Sequence, residues 1–191
     1  VAGLQRSQGG KHTPPPPLDL ETYAEAKHLP LDFLRALDLT PIYVRGEKVL
    51  KMPYYDTDGN EIAARFRLAL TGKKDRFRWR RGSKVHPYGL WKLDQARQAG
   101  YVVLVEGESD AHTLWHYAVP ALGIPGATVW KPDWARYVES FAVYVWREPD
   151  AGGTQFVDRI AADLPDASVL TPPQGRKDVS ECHVLGDDVP A

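Results

Sequence analysis

The chain has 191 residues, 43% of them apolar and 26% charged, with one cysteine, Cys182. That length suits one ordinary domain or two small ones and excludes a multi-module enzyme; the lone cysteine excludes a disulfide framework and a cysteine-cluster zinc site, and no apolar run approaches the roughly 20 residues of a membrane helix. Net charge is −1 but unevenly spread, with 18 Lys and Arg against 11 Asp and Glu in residues 1–105, and 6 against 14 in residues 106–191.

The first residue is Val and no basic-then-apolar signal follows it, so the expectation is a piece of a longer cytoplasmic polypeptide. Residues 1–18 contain four consecutive prolines and read as an extended linker. Between Asp19 and Leu39 two short helical patterns appear, broken at Pro30. Residues 49–55 and 62–70, separated by Asp56-Thr57-Asp58-Gly59-Asn60, predict a hairpin, and 77–81 a further strand. Residues 93–99 predict a helix.

After Gly100 strands and helices alternate, the pattern of a parallel sheet covered on both faces. The strands are expected at 101–105, 120–122, 141–146 and 168–170, and the helices at 110–118, with Ala111, Leu114, Trp115 and Ala118 inward, and at 154–164. The expected organisation is a linker over 1–18, a smaller mixed α+β basic subdomain over 19–99, an α/β domain over 100–185 and a tail over 186–191.

Residues 65–84 carry nine basic side chains (Arg65, Arg67, Lys73, Lys74, Arg76, Arg78, Arg80, Arg81, Lys84) and one acid, Asp75, interleaved with Phe66, Phe77 and Trp79. Cations for phosphates and rings for bases suit a nucleic acid. A solvated strand face alternating with a buried aromatic one fits Arg76 to Arg80 equally well.

Two strands of the second half end alike, in an apolar run, then acids beside glycine, then a helix: Glu106-Gly107-Glu108-Ser109-Asp110 and Arg147-Glu148-Pro149-Asp150-Ala151-Gly152-Gly153. Ligands of open parallel sheets bind beyond the carboxyl ends of the strands, which brings Glu106, Asp110, Glu148 and Asp150 toward one edge. Carboxylates gathered there repel unless they are protonated or a cation neutralises them, and oxygen ligands suit Mg²⁺ or Mn²⁺. The plainer reading of each acidic turn is a helix cap or a first-turn charge.

An apolar strand, Glu-Gly-x-x-Asp, a second apolar strand and acid-x-Asp resemble the Toprim signature, at Glu106 to Asp110 and Glu148 to Gly152. Upstream, Tyr88-Gly89-Leu90-Trp91-Lys92-Leu93-Asp94-Gln95-Ala96-Arg97 leading into Val103 to Gly107, and Tyr55-Asp56-Thr57-Asp58-Gly59 with Arg65 and Arg67, are similar to the catalytic core of bacterial DnaG-type primases. The likeness covers most of residues 20–183. It implies a Toprim-like Rossmannoid sheet and a DNA-directed nucleotidyltransferase that makes short RNA primers on single-stranded DNA from nucleoside triphosphates.

The same resemblance implies roles for residues. Glu106 is a general base or metal ligand, with Asp110 supporting or ligating. Glu148, Asp150 and Asp178 complete a set for two divalent ions, Mg²⁺ or Mn²⁺, with no zinc in this piece. Arg65, Arg67, Arg76, Arg78, Arg80, Arg81, Lys84 and Lys177 bind nucleotide or nucleic acid. An upstream zinc-binding domain and a replicative helicase are the expected partners in the full-length protein, and no membrane. Two positions depart from the family pattern: Glu148 stands where Asp is usual, and Ser180 where another Asp is frequent. The alternatives are phosphodiester cleavage of the Toprim nuclease or topoisomerase kind, and a non-catalytic nucleic-acid-binding module.

Among smaller features, His112 and His116 have a zinc-compatible spacing but no third ligand nearby, and read as helix surface. Trp115, Trp130, Trp134, Trp146 and Cys182 read as packing, and Gly123, Pro125 and Gly126 as a turn, either a plain tight one or, as the resemblance implies, a loop near the site. No Gly-x-x-x-x-Gly-Lys-Ser/Thr motif of a nucleotide-driven motor occurs.

Overall fold

The computed structural model describes residues 18–71 and 76–189. Apart from Leu18, which is buried, the expected linker lies outside the described residues, as do Lys73, Lys74 and Asp75 of the basic cluster. Helix α1, Leu20–Lys27, begins where the Asp19 carboxylate accepts the Thr22 backbone N–H at 2.9 Å, and Pro30 separates it from α2, Leu31–Ala36.

A strand unforeseen in the sequence follows, β1, Thr40–Val44. It pairs antiparallel with β2, Glu47–Tyr55, through Arg45 and Gly46, at φ 53° and 81°. Two successive left-handed residues form the tight turn whose twist matches that of the flanking strands. β3, Glu61–Arg67, follows a turn held by Asp56, whose Oδ1 accepts the Asp58 and Asn60 N–H groups, each at 2.9 Å. With β4, Phe77–Trp79, the order is β1-β2-β3-β4. Arg65 stands opposite Trp79 and Arg67 opposite Phe77, so these four share one face of the sheet; Phe66 and Arg78 share the other.

After a 3-10 turn at Leu90–Lys92 and α3, Leu93–Ala99, the pattern changes. β5, Tyr101–Glu106, α4, Glu108–His116, β6, Ala121–Ile124, β7, Ala142–Trp146, α5, Ala151–Ala161, β8, Ser168–Leu170, and α6, Val179–Val184, follow in order. The four strands pair parallel in the order β6-β5-β7-β8. From β5 the chain crosses to one side and from β7 to the other, so the sheet's switch point lies between these neighbours, where α/β folds bind ligands.

Both faces of the parallel sheet are buried, which is why β5 reads as an unbroken apolar run. Val103 and Val105 join a cluster that also holds Tyr23, Leu34, Leu50, Met52 and Trp115; Val102 and Leu104 join Leu93, Leu122, Phe156 and Ile160 on the opposite face. The first cluster draws on both sheets, which therefore share a core.

Helix α4 corrects two expectations. His112 is fully buried, not on the surface: its Nδ1 lies 3.0 Å from Tyr23 Oη and its Nε2 2.8 Å from Tyr88 Oη, because α4 is covered on both sides. Ala118, expected to face inward, is exposed at φ 58°, past the end of the helix. The four tryptophans 115, 130, 134 and 146 are buried, as is Cys182. Among the described residues no helix is long and apolar enough to cross a membrane.

Candidate functional site

The two parallel strands at the switch point deliver acids to the same rim. β5 ends on Glu106; Gly107, at φ 103°, turns the chain so sharply that α4 begins at once with Glu108. A similar turn follows β7, where a Cβ on Gly153 would lie 2.1 Å from the Glu148 carbonyl oxygen. Asp150 caps α5 by accepting the Gly153 N–H at 2.9 Å, and Asp178 caps α6 by accepting the Glu181 N–H at 2.7 Å.

Asp110, Glu148 and Asp178 converge, each offering a carboxylate oxygen, and these oxygens all lie within 4.8 Å of one another. Asp110 is buried and accepts the Ser180 N–H at 2.9 Å. Burial, reinforced by the charges of Asp178 and Glu148, pushes its carboxyl well above the ordinary range. Glu148 is pushed up to about 7, chiefly by burial; Lys177 opposes this, while Glu106 and Asp178 add to it. Half-buried Glu106 is raised too, by burial, with the Ala127 N–H acting in the other direction.

Three oxygen donors at this spacing, those of Asp110 and Glu148 buried and that of Asp178 partly so, fit a hard divalent cation such as Mg²⁺ or Mn²⁺, which would relieve the repulsion among them. Glu106 and Asp150 lie outside this set of three. Asp150 is half exposed and faces Lys177, whose Nζ lies 3.0 Å from Glu148 Oε2 and 3.8 Å from Asp150 Oδ2.

The antiparallel sheet supplies the opposing wall. Arg65 Nη1 donates to both oxygens of Glu108, at 3.0 and 3.2 Å, and Tyr54 Oη donates to the same carboxylate. The Arg65 guanidinium also lies 4.2 Å from the centre of the Phe77 ring. Arg67 is 4% exposed, its Nε donates to the Ala69 carbonyl at 3.4 Å, and its Nη1 has no hydrogen-bond partner among the described residues. Between the walls lies a cleft of about 480 Å³, lined by Arg65, Arg67 and Arg76 on one side and by Glu106, Asp110, Glu148 and Asp178 on the other, with Lys177 at its edge.

The basic cluster thus divides. Arg65 and Arg67 share the face that lines the cleft, whereas Arg78 is on the opposite face and exposed; Arg80 is paired with Glu61. Arg78, Arg80, Arg81 and Lys84 do not line the cleft. Several cleft residues, Glu108, Ser180 and Lys27 among them, went unremarked in the sequence as site residues. Glu108 was visible only as one more acid in an acidic turn, and Ser180 only as a departure from Asp. Lys27 gave no signal at all, because α1 lies far from the acidic turns along the chain.

No family model matches the chain. It is 30% identical over 95 residues to the Gene 57 protein of Mycobacterium phage D29, a match spanning 49% of this chain and 61% of that one. Among solved structures it is similar to the Aquifex aeolicus primase, comprising zinc-binding and RNA polymerase domains, with a TM-score of 0.71 and 17% identity over 87% of this chain and 52% of that one. It is similar also to the primase fragment of the bacteriophage T7 primase-helicase protein, with a TM-score of 0.68 and 22% identity over 85% of this chain and 68% of that one. The chain therefore has the fold of DnaG-type primase catalytic cores and spans about half the length of the Aquifex chain.

Proposed function

We propose that the chain is the catalytic core of a DNA primase, a cytoplasmic nucleotidyltransferase that makes short RNA primers on single-stranded DNA. In this reading residues 19–99 form the basic subdomain and residues 100–185 the Toprim domain, working beside a zinc-binding domain and a replicative helicase elsewhere in the protein or its complex. The observation that carries the reading is the cleft that sets Arg65, Arg67 and Arg76 against Glu106, Asp110, Glu148 and Asp178. A nucleic acid or a triphosphate needs the first, and the cations that accompany phosphates need the second.

Asp110, Glu148 and Asp178 would hold one divalent ion, with Glu106 and Asp150 beside them for a second. The chemistry such ions supply when bound is activation of a 3′-hydroxyl and stabilisation of the leaving pyrophosphate. Glu106, at the end of β5 with its carboxyl raised, is the residue to take the hydroxyl proton. Arg65 and Arg67 face the triphosphate, while Arg76 at the mouth and the exposed Arg78, Arg80, Arg81 and Lys84 track the template backbone. Lys177, paired with Glu148 and Asp150, is free to exchange those carboxylates for phosphate once a stronger cation takes them.

The test is incubation with a single-stranded template, labelled nucleoside triphosphates and Mn²⁺ or Mg²⁺. Short labelled RNA is the expected product. A cut template would make the protein a nuclease, and bound but unreacted DNA would make it a binding module.

A further inference from the structure

Lys27 closes α1 and lines the cleft. Its Nζ donates to Ser180 Oγ at 2.8 Å, its one hydrogen-bond partner among the described residues. No carboxylate there lies within the 4.0 Å of an ion pair with it. An ammonium has three N–H donors, so two are left for the cleft. Arg67, buried and with its Nη1 unpartnered among the described residues, and Arg76 line the same space.

Buried cations are ordinarily paired, since an unanswered charge away from water is costly. Here burial and the charges of Arg67 and Arg76 hold Lys27 below its ordinary pKa, against the pull of Asp110 and Asp178. Ser180 joins the two signs: its Oγ accepts from Lys27 and its N–H donates to Asp110. A ligand that suits this arrangement presents phosphate oxygens to the cations and a divalent ion to the acids at the same time.

We propose that Lys27, with Arg67, grips the phosphate tail of the incoming nucleoside triphosphate, making α1 part of the substrate site. The assignment rests on the primase reading and adds to it a residue outside both the acidic turns and the basic cluster. The same cations could in principle meet a template phosphate; the tail is favoured because Ser180 places Lys27 next to the acids that take the ion accompanying a triphosphate.

The test compares the wild-type protein with Lys27→Met and Lys27→Arg. Lys27→Met is expected to raise the KM for nucleoside triphosphates by about 10-fold or more, the effect of one charge-assisted hydrogen bond, and Lys27→Arg to restore most of it. Affinity for single-stranded DNA stays within about 2-fold. Inorganic pyrophosphate with Mg²⁺ raises the melting temperature of the wild type and not of Lys27→Met. Without ligand, Lys27→Met melts at the same temperature or higher, because a partly buried charge beside Arg67 and Arg76 has gone. An unchanged KM and pyrophosphate shift, a loss confined to DNA affinity, or a drop in the ligand-free melting temperature overturns the proposal. If the wild type makes no primer, the primase reading fails by itself, and the pyrophosphate shift alone decides the role of Lys27.

Discussion

On the antiparallel side of the cleft, Glu108 is 1% exposed and fully answered, accepting from Arg65 and from Tyr54. On the rim of the parallel sheet, Asp110, Glu148 and Asp178 crowd within 4.8 Å, and their carboxyls are answered by little more than the Ser180 and Glu181 N–H groups and the half-exposed Lys177. Both walls bury charge, but to different ends. A paired buried charge positions one element against another, here α4 against β2 and β3; like charges gathered with so few partners are relieved by protonation or by an arriving cation.

Removing one rim charge is the sharpest way to break this contrast. Asp110→Asn keeps an oxygen for the Ser180 N–H but relieves repulsion. Primer synthesis is expected to fall by about 10²- to 10³-fold, as when a preorganised electrostatic group is lost. The ligand-free protein should melt about 2–4 °C higher for each kcal/mol of repulsion relieved. A lower melting temperature would show that the rim, too, is built for stability.

The second prediction acts on the other wall. Glu108→Ala leaves Arg65 buried without its partner and is expected to cost about 3–5 kcal/mol in urea unfolding. Adding Arg65→Met should recover much of that loss, because the stranded charge disappears with it. If the double variant is no more stable than the single one, Glu108 contributes packing and not pairing.

The smallest effect concerns His112, a buried base kept neutral between two tyrosines, its pKa lowered from 6.5 to about 3 mainly by burial. Below pH 6.5 the unfolded chain takes up a proton that the folded protein refuses. Stability from this group is complete above that pH and declines as the pH falls toward 3, by up to about 1.4 kcal/mol per unit. Glu148, raised to about 7, works in the opposite sense, binding its proton first in the folded state. It does so equally in His112→Gln, so the difference between the two stability profiles isolates the histidine. Parallel profiles from pH 7 to 5 would mean that His112 is charged in the fold.

The parallel half was legible because its signals are local. Apolar runs ending in Glu106 and Trp146 gave β5 and β7, and the apolar face of Phe156, Ile160 and Leu164 gave α5 though not its start, whereas the short α6 was not foreseen. β1 was missed because Pro41 and the exposed Tyr43 break its alternation, and because the turn after it places Arg45 in a left-handed conformation more typical of Asn or Gly. The alternation through Arg76 to Arg80 was visible, yet sequence alone does not say which β3 residues stand opposite it. Only the register shows that Phe77 and Trp79 lie with Arg65 and Arg67. Lys27 and Ser180, brought together from 153 positions apart, carried no signal that periodicity or spacing can express.

The apolar cluster that runs from Tyr23 and Leu34 through Leu50 and Met52 to Val105 and Trp115 has a mechanical consequence. The walls of the cleft are not jaws on a hinge: parting them would expose that shared interior, so they hold their separation and melt together as one cooperative unit. Width in the slot is then fixed before any ligand arrives, and whatever enters must be admitted by rearranging side chains and rim loops, with the scaffold behind them at rest.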